Sequence, residues 1–401
     1  MHLAFAFMIN LLSLARRWLA GLFLRGRVLD WWTLRRGRQL NGAYRAELIQ
    51  RLNGAAASVR LPAFAGSDKL RQILLIANCQ YEKRDLLPEL ERIAETRLLD
   101  LNPALNATPE GPQARRAVTE AVRQFSEANR ALSPDVILFY LRPASLSDEV
   151  FDVLRSRWHC PLFGMNLDDR VEFFRYGILS SGNDDYGRWV KKFDLNITSC
   201  LPATDWYAGR GAASIYSPAG VHLAPGIGMP ASAGFKYKIS FVGSKKVERG
   251  AVIEELRRAG IFVSLFGAGW PNGQWMEDPN AIYRATQINL GIGFASPSLV
   301  VTSVKNRDFE CPGVGTCYLT TYNWELPLHW ELGKEILCYR DIQELIEIYS
   351  WYGKRPEECL KIAQAAWRRA VVEHTWEQRF RKIFEQAGFK CQTSSPAIHR
   401  T

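Results

Sequence analysis

Two cations and a carboxylate lie close together in residues 305–316, which read Lys-Asn-Arg-Asp-Phe-Glu-Cys-Pro-Gly-Val-Gly-Thr. Lys305 and Arg307 can neutralise phosphate oxygens, and the Glu310 carboxylate can accept hydrogen bonds from two ribose hydroxyls. The pattern predicts that these residues lie just before and within the first turns of a helix that leads into a glycine-rich turn and a strand. A carboxylate in a first helical turn also complements the helix dipole, so both interpretations of Glu310 stay open.

A second cationic loop follows an apolar run that closes on glycine, at residues 243–249, Gly-Ser-Lys-Lys-Val-Glu-Arg. Gly243 allows the backbone to approach a ligand, and Lys245, Lys246 and Arg249 add cationic donors beside the N–H groups of a helix N-terminus. This combination suits a diphosphate. Solvated loop cations are the alternative interpretation.

Three further kinds of residue are candidates for a functional site. Asp168 and Asp169 follow a predicted strand, where a carboxylate can take the proton of a hydroxyl; a helix cap or loop pair is the alternative. His222 lies near the predicted hinge and is a further candidate site residue. Three tryptophans are candidates for stacking on sugar or base rings, or for the hydrophobic core: Trp270, Trp324 and Trp330.

Short apolar runs alternate with helical patterns over most of the chain. Strands are predicted at 71–77, 135–140, 161–165 and 195–198, with the first half ending at 219–225, and again at 237–243, 261–267, 288–292, 317–321 and 336–339. Helices are predicted at 86–96, 113–132, 248–259, 308–313, 341–351 and 356–385. The alternation predicts an α/β fold of two doubly wound parallel units, joined near residues 225–233, with their strand-terminal loops facing one cleft.

The positive charge of the chain is concentrated at its beginning. Of a formal net charge of +10, residues 1–66 contribute +8, from ten arginines against two acidic residues. The nearly neutral remainder argues against a nucleic-acid-binding protein. The eight cysteines show no metal-ligand spacing, which indicates reduced thiols and a cytoplasmic location.

Residues 1–66 are predicted to form a basic, aromatic amphipathic arm. The uncharged run Met1–Ala15 is too short to cross a bilayer as a helix, and arginines follow it rather than precede it, which argues against a signal peptide. Leucine, tryptophan and phenylalanine interleaved with arginine are typical of a helix on an anionic membrane surface. A helix docked on the protein's own body and a poorly ordered leader are the alternatives.

Several of these landmarks, in this order, resemble a known family: 240–244 (Ser-Phe-Val-Gly-Ser), 265–270 (Leu-Phe-Gly-Ala-Gly-Trp), 305–310, and 374–379 (His-Thr-Trp-Glu-Gln-Arg). Residues 235–388 resemble the C-terminal domain of CgeB-like proteins, which belong among the GT-B-fold glycosyltransferases (glycosyltransferase group 1). The first half is similar more loosely, at 166–169 and 193–198, and residues 1–66 lie outside the resemblance.

The resemblance implies a GT-B-like fold of two Rossmann-like domains facing a cleft. The acceptor domain would span 67–228 and the nucleotide-sugar domain 229–375, followed by a C-terminal helix and tail at 376–401. Donor-binding residues would be Gly243, Ser244, Lys246, Arg249, Gly267, Tyr283, Asn289, Lys305, Arg307, Glu310, Gly313 and Gly315. Catalytic residues would be Asp169, Arg249 and Glu310, with Asp168, Asp169 and His222 on the acceptor side. No cofactor or metal is expected, because fixed cations can stabilise the leaving diphosphate.

The function implied is a glycosyltransferase that moves a sugar from a nucleotide-sugar donor to a lipid-linked or protein glycan acceptor at the cytoplasmic face of a membrane. Retaining GT-B enzymes often carry a second glutamate eight positions before the ribose-binding one, and Thr302 stands there in this chain. Whether the anomeric configuration of the transferred sugar is retained or inverted therefore stays open. A catalytically inactive GT-B scaffold that binds nucleotide or glycan is the first alternative, and a two-domain small-ligand binding protein of the periplasmic type is the second.

Overall fold

The computed structural model describes residues 64, 69–78, 81–107, 111–173, 186–230, 234–271, 273, 278–295 and 301–391. Its first half is built on a six-stranded parallel sheet of order β2-β1-β3-β4-β5-β6. The strands are β1 (Gln72–Ala77), β2 (Glu95–Asp100), β3 (Val136–Tyr140), β4 (Leu162–Asn166), β5 (Leu195–Thr198) and β6 (Ser214–Tyr216).

The second half is built on a five-stranded parallel sheet of order β11-β10-β9-β7-β8. Its strands are β7 (Tyr237–Val242), β8 (Ser264–Phe266), β9 (Thr286–Leu290), β10 (Tyr318–Thr321) and β11 (Leu337–Tyr339). The prediction of two doubly wound α/β units is therefore confirmed. The predicted arm at 1–66 lies outside the described residues, apart from Phe64.

Helices connect the strands. In the first half they are α1 (Tyr81–Asp85), α2 (Leu87–Glu91), α3 (Asn102–Ala107), α4 (Gly111–Ala128), α5 (Asp148–Arg157), α6 (Asp169–Glu172) and α7 (Ala203–Gly209). In the second half they are α8 (Val247–Arg258), α9 (Asn280–Arg284), α10 (Arg307–Gly313), α11 (Ile342–Tyr352), α12 (Pro356–Glu373) and α13 (Trp376–Gln386). The described residues also include four single 3-10 turns: Pro143–Ser145, Tyr186–Arg188, Val190–Lys192 and Leu326–Leu328.

The central strands are apolar at consecutive positions because both faces of each sheet are covered. In β1, Ile73 and Leu75 pack into one core while Leu74 and Ile76 pack into another. All four side chains are fully buried. The apolar runs of the sequence thus fix these strands at the centre of the sheet.

Two predicted elements were wrong. The helix predicted at 86–96 ends at Glu91, and Glu95–Asp100 form the edge strand β2, whose side chains are mostly exposed or half-buried. An edge strand with charged side chains lacks the apolar run that marks its buried neighbours. The helix predicted at 356–385 breaks at His374, because the Thr375 side chain accepts from the Gln378 N–H and caps a new helix, α13.

The last helix returns to the first domain. Val221 donates its backbone N–H to the His374 carbonyl (2.9 Å), and the Trp376 N–H donates to the Val221 carbonyl (3.1 Å). Phe384 of α13 then stacks beside Phe163 of β4, with ring centroids 6.2 Å apart. The hydrophobic core of the first domain therefore includes residues from the end of the chain.

Candidate functional site

A cleft of about 890 Å³ lies between the two domains, beyond the carboxyl ends of strands from both sheets. This is where open parallel sheets bind ligands. The first domain contributes Lys83, Arg84, Tyr140, Leu167 and Asp168, and the polar lining of the second domain includes Ser244, Lys246, Arg249, Tyr283, Lys305, Asn306, Arg307 and Glu310.

Two backbone loops form one wall of the cleft in close contact. Gly267, after β8, has a φ of +112°, and a Cβ there would lie 2.7 Å from the carbonyl carbon and oxygen of Gly243. The Trp270 indole N–H donates to the Gly243 carbonyl at 2.7 Å. Glycine at 267 is therefore required by the packing of the two loops, and Trp270 holds them together from the core rather than facing the cleft.

Arg249, on α8, is buried, with 8% of its surface exposed. Its Nη1 donates to the Ser244 carbonyl at 2.8 Å, and its guanidinium and that of Arg307 lie 5.6 and 5.0 Å from the centre of the Phe241 ring. Burial, together with the charge of Arg307, lowers the pKa of Arg249 to about 10. Positive charges held together away from water favour an anionic ligand that would relieve their repulsion.

Lys305 extends this cationic cluster. Burial lowers the pKa of Lys305, and the neighbouring charges of Arg249, Lys246 and Arg307 lower it further. Its Nζ lies 3.7 Å from Asp168 Oδ1, across the cleft. The sequence-predicted residues Lys246, Arg249, Lys305 and Arg307 are thus brought together in one place.

Asp308 fixes the start of α10, on which Lys305, Arg307 and Glu310 depend. Its carboxylate accepts from the Lys305 backbone N–H (2.6 Å), the Tyr318 hydroxyl (2.8 Å) and the Thr320 hydroxyl (3.1 Å). It is 2% exposed, and burial raises its pKa. The helix start is therefore tied to strand β10 by a buried carboxylate.

Glu310 is half-buried and lines the cleft. The Tyr283 hydroxyl donates to its Oε2 at 3.4 Å. Burial raises the pKa of Glu310 to about 7, with a smaller contribution from the Asp85 charge, while Arg84 and Arg307 oppose the shift. Its acidity is thus set partly by the first domain, whose helix α1 carries Arg84 and Asp85.

The structure separates the two adjacent aspartates. Asp168 lines the cleft, with 60% of its side chain exposed. Asp169 is 1% exposed and accepts hydrogen bonds from the hydroxyls of Thr198 and Tyr207 in the core of the first domain. Burial raises the pKa of Asp169 to about 8. Of the two, only Asp168 lines the cleft.

Four other sequence-predicted residues are absent from the lining of the cleft. Asn289 is buried in β9, where its Nδ2 donates to the Tyr283 carbonyl at 2.9 Å. A Cβ on Gly313 would lie 2.6 Å from the Val221 side chain, and one on Gly315 would lie 2.7 Å from that of Pro230. His222 Nδ1 lies 2.6 Å from Glu89 Oε1. Asn289, Gly313 and Gly315 are thus used within the second domain or at its junction with the preceding segment, and His222 pairs with a carboxylate of the first domain.

The tryptophan candidates and Thr302 also lie outside the lining. Trp330 is buried against the His374 ring, with centroids 4.5 Å apart, and Trp324 is half-buried. The Thr302 hydroxyl accepts from Asn323 Nδ2 at 3.1 Å. Conversely, Lys83, Arg84 and Tyr140 line the cleft but were not predicted from the sequence. The one feature of the sequence that could have indicated them is their position at or after the ends of β1 and β3.

Two kinds of feature are absent from the described residues. In the part of the chain described here, no group of three or more His, Cys, Asp or Glu side chains is arranged to hold a metal ion. No described helix is both long and apolar enough to cross a bilayer.

Comparison with known proteins places this geometry in a fold family. Residues 249–385 match a family model described as glycosyl transferase-like. A sucrose-phosphate synthase from Thermosynechococcus elongatus superposes with a TM-score of 0.51 at 14% identity, covering 79% of this chain and 99% of that one. The fold is GT-B.

Another GT-B structure gives the same result. HepE from Anabaena, determined in complex with UDP and glucose, has a TM-score of 0.51 and 14% identity, covering 79% of this chain and 98% of the other. No curated protein matches the chain by sequence. The expected GT-B fold with a glycosyltransferase-like C-terminal domain is confirmed, and the narrower CgeB-like assignment stays a prediction.

Proposed function

We propose that the chain is a glycosyltransferase that uses a nucleoside-diphosphate sugar as donor. The observation that carries the proposal is the convergence of Arg249, Lys305 and Arg307 in the interdomain cleft of a GT-B fold. The negative charge of a diphosphate would balance the positive charge of these three side chains. The glycosyl transferase-like model over residues 249–385 and the complex of HepE with UDP and glucose support this donor class.

The reaction requires an acceptor hydroxyl, and the cleft offers a group for its proton. The hydroxyl oxygen bonds to the anomeric carbon of the sugar while the bond from that carbon to the diphosphate breaks. The electron pair leaves on the phosphate oxygen, where the cations stabilise it without a metal ion. The proton passes to a carboxylate, for which we propose Asp168 because it lines the cleft from the acceptor domain. Glu310 would hold the ribose hydroxyls.

A thermal-shift comparison of UDP, GDP, ADP and CDP on the full chain tests the donor proposal. One nucleotide at about 100 times its dissociation constant should raise the unfolding temperature by a few degrees, because ligand binding adds about 2.7 kcal/mol to stability. Glu310→Gln should reduce that shift. The control Glu331→Gln changes an exposed carboxylate of the same domain and should not.

The proposal is wrong if none of the four nucleotides stabilises the chain. A second candidate, an inactive GT-B scaffold, is favoured by Thr302 at the position where retaining enzymes often carry a glutamate. Nucleotide-dependent stabilisation without any release of nucleotide from its sugar, across a set of glycan and lipid-linked acceptors, would support the scaffold.

We also propose that residues 1–66 hold the chain at the cytoplasmic face of a membrane and that the acceptor is a lipid-linked or protein glycan. The support is the ten arginines interleaved with tryptophan, leucine and phenylalanine in that segment. Replacing Arg16, Arg17, Arg25 and Arg27 by glutamine should abolish flotation with vesicles that contain anionic lipid, because each cation near such a surface contributes about 1 kcal/mol. Flotation equal to that of the unaltered chain would contradict the proposal.

A further inference from the structure

One ion pair crosses the cleft between the domains. Asp168, the residue before α6 in the first domain, places its Oδ1 3.7 Å from Nζ of Lys305 in the second. The two side chains differ in exposure: Lys305 is 17% exposed and Asp168 is 60% exposed. The carboxylate therefore reaches a largely buried cation from the solvent side.

The surroundings of Lys305 explain why a carboxylate is favourable there. Lys246, Arg249 and Arg307 all act on Lys305 with like charge, and the Asp168 charge also stabilises the ionised form of Arg249. The Asp168 side chain makes no hydrogen bond that caps α6. Asp168 thus balances charge in the cationic cluster rather than building the helix start.

We propose that Asp168 is the resident counter-ion of the donor site: it pairs with Lys305 when no donor is bound and is displaced by the donor diphosphate. The inference rests on the proposed function, since the diphosphate is what replaces the carboxylate. A carboxylate and a diphosphate cannot both lie against Lys305 without repelling each other. Donor binding therefore releases the Asp168 carboxylate toward the acceptor side.

The consequence is an order of binding. Before the donor is bound, Asp168 is held by Lys305 and is less able to accept a hydrogen bond from a hydroxyl. After the donor is bound, the diphosphate takes Lys305, and the carboxylate is available where the acceptor must lie. The same residue couples the two sites, so the coupling is reciprocal.

Isothermal titration calorimetry with inorganic pyrophosphate, and separately with UDP, tests the inference on the full chain. Asp168→Asn should tighten the binding of both by about threefold or more, because the competing carboxylate is gone. Lys305→Met should weaken both. In the Lys305→Met background, Asp168→Asn should have little further effect, since the competition acts through Lys305.

The control is Asp148→Asn, which removes an exposed carboxylate of the same domain that pairs with Lys192 at 2.6 Å. It should leave both affinities unchanged. Unchanged or weaker pyrophosphate binding in Asp168→Asn overturns the inference while leaving the proposed function intact. If Asp168→Asn tightens binding equally with and without the Lys305 side chain, the inference is also overturned. The tightening would then come from the lower negative charge of the protein and not from release of Lys305. Absence of binding of both ligands to the unaltered chain overturns the inference, whereas the proposed function is then decided separately by the comparison of the four nucleotides.

Discussion

Arg249 illustrates how a single residue prepares the cleft for an anion. Its Nη1 is fixed on the Ser244 carbonyl, its Nε is buried without a hydrogen-bond partner, and its charge is close to that of Arg307. Such an arrangement is unfavourable by itself and becomes favourable when phosphate oxygens are bound.

Arg249→Ala should weaken binding of a nucleoside diphosphate by about tenfold or more, because a hydrogen bond to a charged group contributes about 1.5–3 kcal/mol. Binding of the corresponding nucleoside should be little changed, since it carries no phosphate. Titration calorimetry with both ligands measures the difference. The matched control is Arg257→Ala, on the exposed face of the same helix, where Arg257 pairs with Glu254. Equal losses for nucleoside and nucleoside diphosphate would contradict a phosphate contact.

At this scale the sequence identified the second-domain cations that the structure brings together, because they lie in two short segments at the starts of α8 and α10. Their role in donor binding stays a prediction. It could not predict that Arg84 faces Glu310, since that contact depends on how the two domains meet. It also assigned Gly313 and Gly315 to donor binding, whereas the structure uses them for close packing against Val221 and Pro230. A glycine pattern does not distinguish contact with a ligand from contact with another part of the chain.

Among the elements, α10 determines the geometry of the cleft. It is only seven residues long, contains Pro312, and starts at Arg307. A helix of this length has little stability of its own. Its position therefore depends on contacts such as those of Asp308 with Tyr318 and Thr320.

Asp308→Ala should destabilise the protein by about 3 kcal/mol, because it leaves a half-buried backbone N–H and two buried hydroxyls without an acceptor. It should also weaken nucleotide binding, since Lys305, Arg307 and Glu310 lose their common support. Urea unfolding and calorimetry measure the two effects. Asp341→Ala, which removes the N-cap of α11, should cost about 1 kcal/mol without changing nucleotide affinity. Full retention of affinity in Asp308→Ala would show that the support is not needed.

The elements that the sequence failed to predict share a physical cause. Strand β2 lies at the edge of its sheet and carries the charged residues Glu95 and Arg97, so its sequence lacks the apolar run that marks a buried strand. The break before α13 is set by the Thr375 cap and by the pairing of Val221 with the residues beside it. Both depend on neighbours distant in sequence, whereas the central strands are marked by their own composition.

In the whole molecule, buried polar groups join the two domains near the cleft. Glu325 of the second domain accepts from Arg170 and from the Leu201 backbone N–H of the first. The Tyr216 hydroxyl lies 2.8 Å from His329 Nε2. These contacts are buried or half-buried and link the two domains.

His374 makes this junction sensitive to acid. Its Nε2–H donates to the His329 carbonyl (3.0 Å), and its Nδ1 accepts from Arg379 (2.8 Å). Burial lowers the pKa of His374 to about 3, and the nearby charges of Arg379 and Arg369 act in the same direction. The unfolded chain, with a histidine pKa near 6.5, then binds the proton more tightly than the folded one. As far as His374 is concerned, the folding free energy has its full value above about pH 6.5 and decreases as the pH falls toward 3.

Lowering the pH from 7.5 to 5 should cost about 2 kcal/mol of folding free energy through His374 alone. His374→Gln should remove that part of the loss, because glutamine does not titrate. Denaturant unfolding at the two pH values measures it. The control His159→Gln alters an exposed histidine and should leave the pH dependence unchanged. If His374→Gln loses as much folding free energy between pH 7.5 and 5 as the unaltered chain, His374 is not the group responsible.

The return of α13 to the first domain has a consequence for how the protein is made. The strands of that domain leave the ribosome first, yet the face beside Phe163 is covered by Phe384, more than 200 residues later. At about 5–20 residues per second, this apolar face is open for on the order of ten seconds or more. Nascent chains should need chaperone protection over that interval. A premature stop codon before residue 376 would remove part of the first domain's core, not a dispensable tail.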